Sequence, residues 1–111
     1  PAEQLEVIQQ VHRFLTEHLD SRITIEQLSR QFLMNPSTMK ELFKEVYGSS
    51  IAAHIRQHRM ERASALLLES DDSVAQIART VGYESQSKFT SEFKKAFSML
   101  PTEYRRLHKQ A

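Results

Sequence analysis

The chain has 111 residues, 40% of them hydrophobic, with no cysteine, two glycines, three prolines and a formal charge of +1. That is enough apolar material for a modest core, and the missing cysteines exclude disulfides, thiolate metal sites and thiol redox chemistry. Few glycines and prolines leave little room for hairpin turns, so an all-α fold is expected. No apolar run is long enough to span a bilayer and residues 1–20 lack a signal-peptide core, so no membrane association is expected, and the composition suits a reducing cytoplasm. The chain begins at Pro1 rather than Met, which suggests a fragment of a longer protein.

In chain order, "EQLEVIQQVHRFLTEHL" places Leu5, Ile8, Val11, Leu15 and Leu19 at three- and four-residue intervals, predicting a first amphipathic helix. Thr24 followed by Gln27 reads as a capping box opening a short second helix with Ile25, Leu28 and Phe32 inward. Asn35 then Pro36 is a cap with proline at the first helical position, flanked by a Met34–Met39 staple. The third helix runs to Tyr47 with Met39, Leu42, Phe43 and Val46 inward, and Gly48 stops it. Ser49 or Ser50 caps "IAAHIRQHRMERASALLLES", a rod of about 30 Å.

From Ser73 the pattern repeats. Ser73 and Gln76 form a second capping box; Val74, Ile77 and Val81 point inward; Gly82 ends the fifth helix. Ser85 caps the sixth, whose stripe of Phe89, Phe93, Ala96 and Phe97 matches Met39, Phe43, Val46 and Tyr47 at an offset of 50. Pro101 opens a seventh helix able to dock Tyr104 and Leu107. The expected organisation is residues 1–48 as one subdomain, 49–70 as a linker helix and 71–111 as a second subdomain.

A short helix, a tight turn, and a helix with one apolar and one short-polar face make a helix-turn-helix unit, and two are present. A helix that enters the major groove buries its rear face in its own domain and presents hydrogen-bonding side chains forward. The forward positions are Ser37, Thr38, Lys40, Glu41 and Lys44 in the first unit, and Gln86, Ser87, Lys88, Ser91, Lys94 and Lys95 in the second. Lys44, Lys94 and Lys95 follow one turn behind the base-reading positions and are candidate phosphate contacts, as are Arg105 and Arg106. Charge is uneven: residues 1–50 hold five Lys/Arg and seven Asp/Glu, and residues 51–111 hold ten and seven. A solvated helical surface is the commoner explanation of such an excess, so the repeat carries the argument. The rod is comparable to the roughly 34 Å between successive major-groove faces, so one chain can offer both probes.

From about Ile23 to Arg106 the sequence resembles the AraC/XylS family of bacterial transcription regulators. The resemblance rests on "ITIEQLS", on "LFKEVYG" leading into "SIAAHIRQHRMERASALLLES", and on "SVAQIARTVGYESQSKFTSEFKKAF" followed by "PTEYR". It implies seven helices in two helix-turn-helix subdomains joined by a long helix, with Pro36–Tyr47 and Ser85–Phe97 as recognition helices. By matching position it implies base contacts from Ser37, Lys40 and Glu41, and from Gln86, Ser87, Lys88 and Ser91. It also implies double-stranded DNA and RNA polymerase as partners, and a separate ligand-sensing or dimerisation domain. Glu41 and Ser91 stand where relatives often carry arginine. Leu33 replaces the turn glycine that Gly82 supplies in the second unit, which predicts a strained or reshaped first turn. Leu100 cannot cap the last helix, a loss on the order of 1 kcal/mol that predicts fraying there.

Arg56, Arg59 and Arg62 on the rod either pair with Glu61 or Glu69 or anchor the helix to a subdomain. His54 and His58 have a spacing that can ligate a metal, but no third ligand is evident, so they are read as exposed histidines with no metal or cofactor expected. The phenylalanine stripe has the helical period of a core, which argues against a platform for single-stranded bases. No nucleophile elbow, phosphate loop or triad is present, so no enzyme is expected. The alternative to DNA binding is a helical protein-interaction module that uses the same polar faces.

Overall fold

The computed structural model describes residues 2–109, which form seven helices and, among the described residues, no strand. Two compact units, residues 1–56 and 57–111, each enclose a core, and the boundary falls inside the long fourth helix rather than on either side of it.

In the first unit, α1 (Ala2–Glu17), α2 (Ile25–Phe32), α3 (Pro36–Tyr47) and the start of α4 (Ile51–Glu69) surround Ile8, Val11, Leu15, Leu28, Met39 and Phe43. Ile51 and Ile55 of α4 pack against this cluster. The predicted stripe of α1 holds at its centre but not at its ends. Leu5 is 44% exposed, and Leu19 lies beyond the helix, which stops at Glu17.

The caps follow the sequence closely, although the expected Thr24–Gln27 box forms only its Thr24 half. Thr24 Oγ1 accepts the Gln27 N–H, Asn35 Oδ1 accepts the Ser37 N–H, and Ser50 rather than Ser49 caps α4 by accepting the Ala53 N–H. Each occupies one of the donors that a helix start leaves without an intrahelical partner.

In the second unit the remainder of α4, α5 (Val74–Thr80), α6 (Gln86–Phe97) and α7 (Pro101–His108) enclose Met60, Ala63, Leu67, Ile77, Ala78, Val81, Phe89 and Phe93. Ser73 and Gln76 form the full reciprocal box at 3.1 and 2.8 Å. Ser85 caps α6 through the Lys88 N–H. Leu100 offers no acceptor, but the Glu103 carboxylate accepts the Leu100 N–H at 2.9 Å, so half a capping box survives at α7. Tyr104 packs its ring against Phe93 and Phe97 as expected, whereas Leu107 is 60% exposed.

The two turns solve one problem differently. Leu33 adopts φ 52°, the left-handed region, and donates its N–H to Ser29 O while Met34 N–H reaches the same carbonyl. Gly82, at φ 97°, takes the corresponding place, with Tyr83 N–H bonded to Ala78 O. Both are left-handed helix stops, but only glycine adopts that geometry without a Cβ penalty. Caps Asn35 and Ser85 are 50 apart whereas Leu33 and Gly82 are 49 apart, so the second turn is one residue longer. Because Leu33 is 91% exposed, its side chain contributes little burial to set against the strain. Leu33→Gly is therefore expected to stabilise the first unit by about 0.5–1 kcal/mol in urea denaturation. A loss of stability would mean that the leucine side chain contributes more than its exposure suggests.

Candidate nucleic-acid interface

Helices α3 and α6 have the same cross-section. Met39 and Phe43 are fully buried in one, Phe89 and Phe93 in the other, and the next inward positions, Tyr47 and Phe97, are half-buried in both. The outermost predicted inward positions, Val46 and Ala96, are both exposed, Val46 at 41%, so the buried stripe is narrower than periodicity alone implies. That the two deviate together reinforces the equivalence of the helices.

On the opposite side of α3, Ser37, Lys40, Glu41 and Lys44 are exposed and spaced i, i+3, i+4, i+7, so they form one stripe; Thr38 is half-buried beside it. In α6, Gln86, Ser87, Lys88, Ser91, Lys94 and Lys95 are all exposed. Thr90, half-buried at the position equivalent to Lys40, borders this face and was not singled out from sequence because its polarity alone does not mark it. Within each unit the forward positions are thus solvent-exposed, half-buried Thr38 excepted.

Their electrostatics differ. Neither helix has an acidic residue in its first turn, which leaves the positive end of each helix dipole available to an anion. Along α3 two lysines stand against two glutamates, and along α6 three lysines stand against one glutamate. The α6 face is therefore the more attractive to phosphate.

Arg105 has a different setting from the other basic candidates. Its Nε donates to Leu67 O at 2.9 Å and its Nη2 to Ser70 O at 3.2 Å, while Lys109 Nζ donates to Ser70 O at 2.7 Å and to Asp71 Oδ1 at 2.6 Å. Helix α4 has no basic residue in its own last turn, and Arg105 of α7 with Lys109 just beyond α7 serve carbonyls at and just past its end instead. The same contacts tie down the helix that the Leu100 cap position suggested would fray. Arg106 is exposed and Arg105 is half-buried. Arg59 lies over the Tyr83 ring, 5.5 Å from its centroid, which favours the anchoring reading of that residue.

The hydrogen bond from Lys109, then its charge, hold the Asp71 carboxyl below the ordinary carboxylate range; a small burial effect opposes this and the Arg105 charge assists it. The carboxylate is fully exposed, so salt screens the pair.

This architecture defines the class: a double helix-turn-helix protein. The sequence profile of the helix-turn-helix domain family matches residues 28–107, and the chain belongs to that family in its AraC/XylS form. It is 37% identical over 98 residues to the HTH-type transcriptional regulator ExsA of Pseudomonas aeruginosa, covering 88% of this chain and 35% of that one. It is 31% identical over 103 residues to the melibiose operon regulatory protein of Escherichia coli, covering 93% and 34%. The chain thus spans about a third of the length of the curated relatives it matches. Among solved structures, the C-terminal domain of AraT from Geobacillus stearothermophilus superposes with a TM-score of 0.91 at 27% identity, covering 95% of this chain and 88% of that one. The DNA-binding domain of AdpA in complex with a target DNA superposes at 0.86 with 26% identity and 91% coverage of both.

Two outcomes follow from the α7 contacts. Arg105→Ala is expected to lower stability by about 1.5–3 kcal/mol, since it removes charge-assisted hydrogen bonds to helix-end carbonyls, while Arg106→Ala stays within about 0.5 kcal/mol. Denaturation of the two variants side by side reads the difference. For Asp71 the folded pKa lies below the unfolded one, so its contribution is present above the unfolded value and disappears as pH falls through the folded value. The stability gap between the parent and Asp71→Asn should accordingly be open at about pH 7, shrink as pH falls through the folded value, and be narrowed by salt.

Proposed function

We propose that this chain is the sequence-specific, double-stranded DNA-binding part of a bacterial transcription regulator, with α3 and α6 as its recognition helices in the major groove. The observation that carries the reading is the duplicated cross-section: two helices, each with its rear stripe sealed in a core and its polar stripe exposed. A surface that met only solvent has no need to repeat that register. The relatives named as transcriptional regulators and the AdpA complex with DNA support the same conclusion.

Within this reading, Ser37, Lys40 and Glu41, flanked by Thr38, read base edges in one groove segment; Gln86, Ser87, Lys88 and Ser91 read another. Lysine suits the guanine O6/N7 edge, glutamine the adenine edge, and Glu41 the amino group of cytosine N4. Lys44, Lys94, Lys95 and Arg106 neutralise phosphates and set register without reading sequence. Arg105 is assigned to holding α4 and α7 together rather than to phosphate. Glu41 and Glu45 offset the lysines of α3, so the second unit supplies more of the electrostatic affinity and the first unit more of the discrimination.

No helix among the described residues is long and apolar enough to cross a membrane, and we place the protein in the cytoplasm, on DNA. Its role is binding rather than catalysis. Because it spans a third of its relatives' length, we assign ligand sensing or dimerisation to a further part of the regulator, and activation to contact with RNA polymerase.

DNA sites selected from a random pool give the substrate for the test. Lys88→Ala is expected to weaken the selected site by about 1–3 kcal/mol and relax preference at one or two positions. Lys94→Ala should weaken all sequences alike and reduce the slope of log K against log salt by about 1. If both variants bound like the parent, the assignment of α6 as a recognition helix would be wrong although the fold stood.

A further inference from the structure

The turn of the first helix-turn-helix carries a side-chain bond that the second cannot make. Ser29, in the last turn of α2, is half-buried, and its hydroxyl donates across the turn to Met34 O at 2.5 Å. Its own carbonyl accepts the N–H of Leu33 and, at 3.2 Å, that of Met34. Ser29 and Met34 thus exchange two hydrogen bonds, which close a ring around Leu33, the residue held at φ 52°.

In the second unit Ala78 stands at the matching place. Its carbonyl accepts the N–H of Tyr83, five residues on, as Ser29 O accepts that of Met34, but alanine has no hydroxyl with which to return the bond. Gly82 adopts the left-handed conformation there without a Cβ penalty, so main-chain bonds suffice. Leu33 resists that conformation, and its side chain, being exposed, has little packing to hold it. The additional bond falls at the turn that needs it. Serine at this position is informative in itself, because alanine forms helix more readily and a half-buried hydroxyl requires a partner.

We infer that Ser29 is a positioning residue for the first recognition helix, its hydroxyl holding the turn in the conformation from which α3 is presented. Met34 is the link. Its side chain packs against the first core, and its carbonyl, held by Ser29, leads directly into Asn35, whose side chain caps α3 through the Ser37 N–H. Fixing the Met34 peptide fixes the direction in which the chain enters α3, and with it the placement of Ser37, Lys40 and Glu41. The inference rests on the reading of α3 as a recognition helix, and Ser29 acts through the turn rather than by touching a base.

Amide hydrogen exchange on the free chain and selection from a random DNA pool test it together. Ser29→Ala should speed exchange at Leu33 and Met34 by about three- to tenfold, the share of one net hydrogen bond, and leave Gly82 and Tyr83 at parent rates. The same variant should lower base preference in one tract of the selected site by about three- to tenfold, without changing the other tract or the salt slope. Ser29→Thr, which keeps the hydroxyl, should restore both readouts. In a Leu33→Gly background the strain is gone, so Ser29→Ala should change either readout by less than about twofold. Parent-like exchange at Leu33 and Met34, or parent-like preference in both tracts, would overturn the inference. A parent chain that selected no sequence would instead sink the DNA-binding reading, with exchange still deciding whether Ser29 holds the turn.

Discussion

A helix can present a polar face to a groove only if something holds it from behind. In this protein that constraint is met twice, by Met39 with Phe43 and by Phe89 with Phe93, all without solvent exposure. Each fully buried aromatic side chain contributes about 1.5–3 kcal/mol relative to exposure, and each fixes the rotation of its helix about its own axis. Rotation is what matters for recognition. A turn of one residue moves every side chain by about 100°, so a helix that slipped in its socket would carry its polar stripe out of register with the bases.

The sockets were largely legible in the sequence because their signals are local. Caps at Thr24, Asn35, Ser73 and Ser85, the stop at Gly48 and the spacing of Phe89 and Phe93 depend on neighbours within four or five residues. The misses share another cause. Leu5, Val46, Ala96 and Leu107 fit the apolar period but lie at the margins of their stripes, where the neighbouring helices do not cover them; periodicity gives a direction, not the extent of the opposing surface. The α7 contacts were missed because they join residues 35 to 39 positions apart. The edge-on packing of His12 against His54 was missed for the same reason.

Between the two units, symmetry of packing coexists with asymmetry of surface. Buried positions on α3 and α6 correspond pair by pair, yet Leu33 strains where Gly82 does not, and α3 balances its lysines with glutamates where α6 keeps a lysine excess. This is the expected pattern when one framework serves two different stretches of DNA. On the proposed reading, residues that seat the helix answer to a common core geometry, and residues on the forward stripe to the bases opposite them.

Base-interference mapping on a selected DNA site addresses the central idea most directly, because it asks which groove atoms matter when one chain is bound. Two separate tracts of major groove should prove sensitive at a stoichiometry of one chain per site, one tract reporting α3 and the other α6. A single sensitive tract under those conditions would contradict the account, since it would leave one of the two matched helices without a base to read.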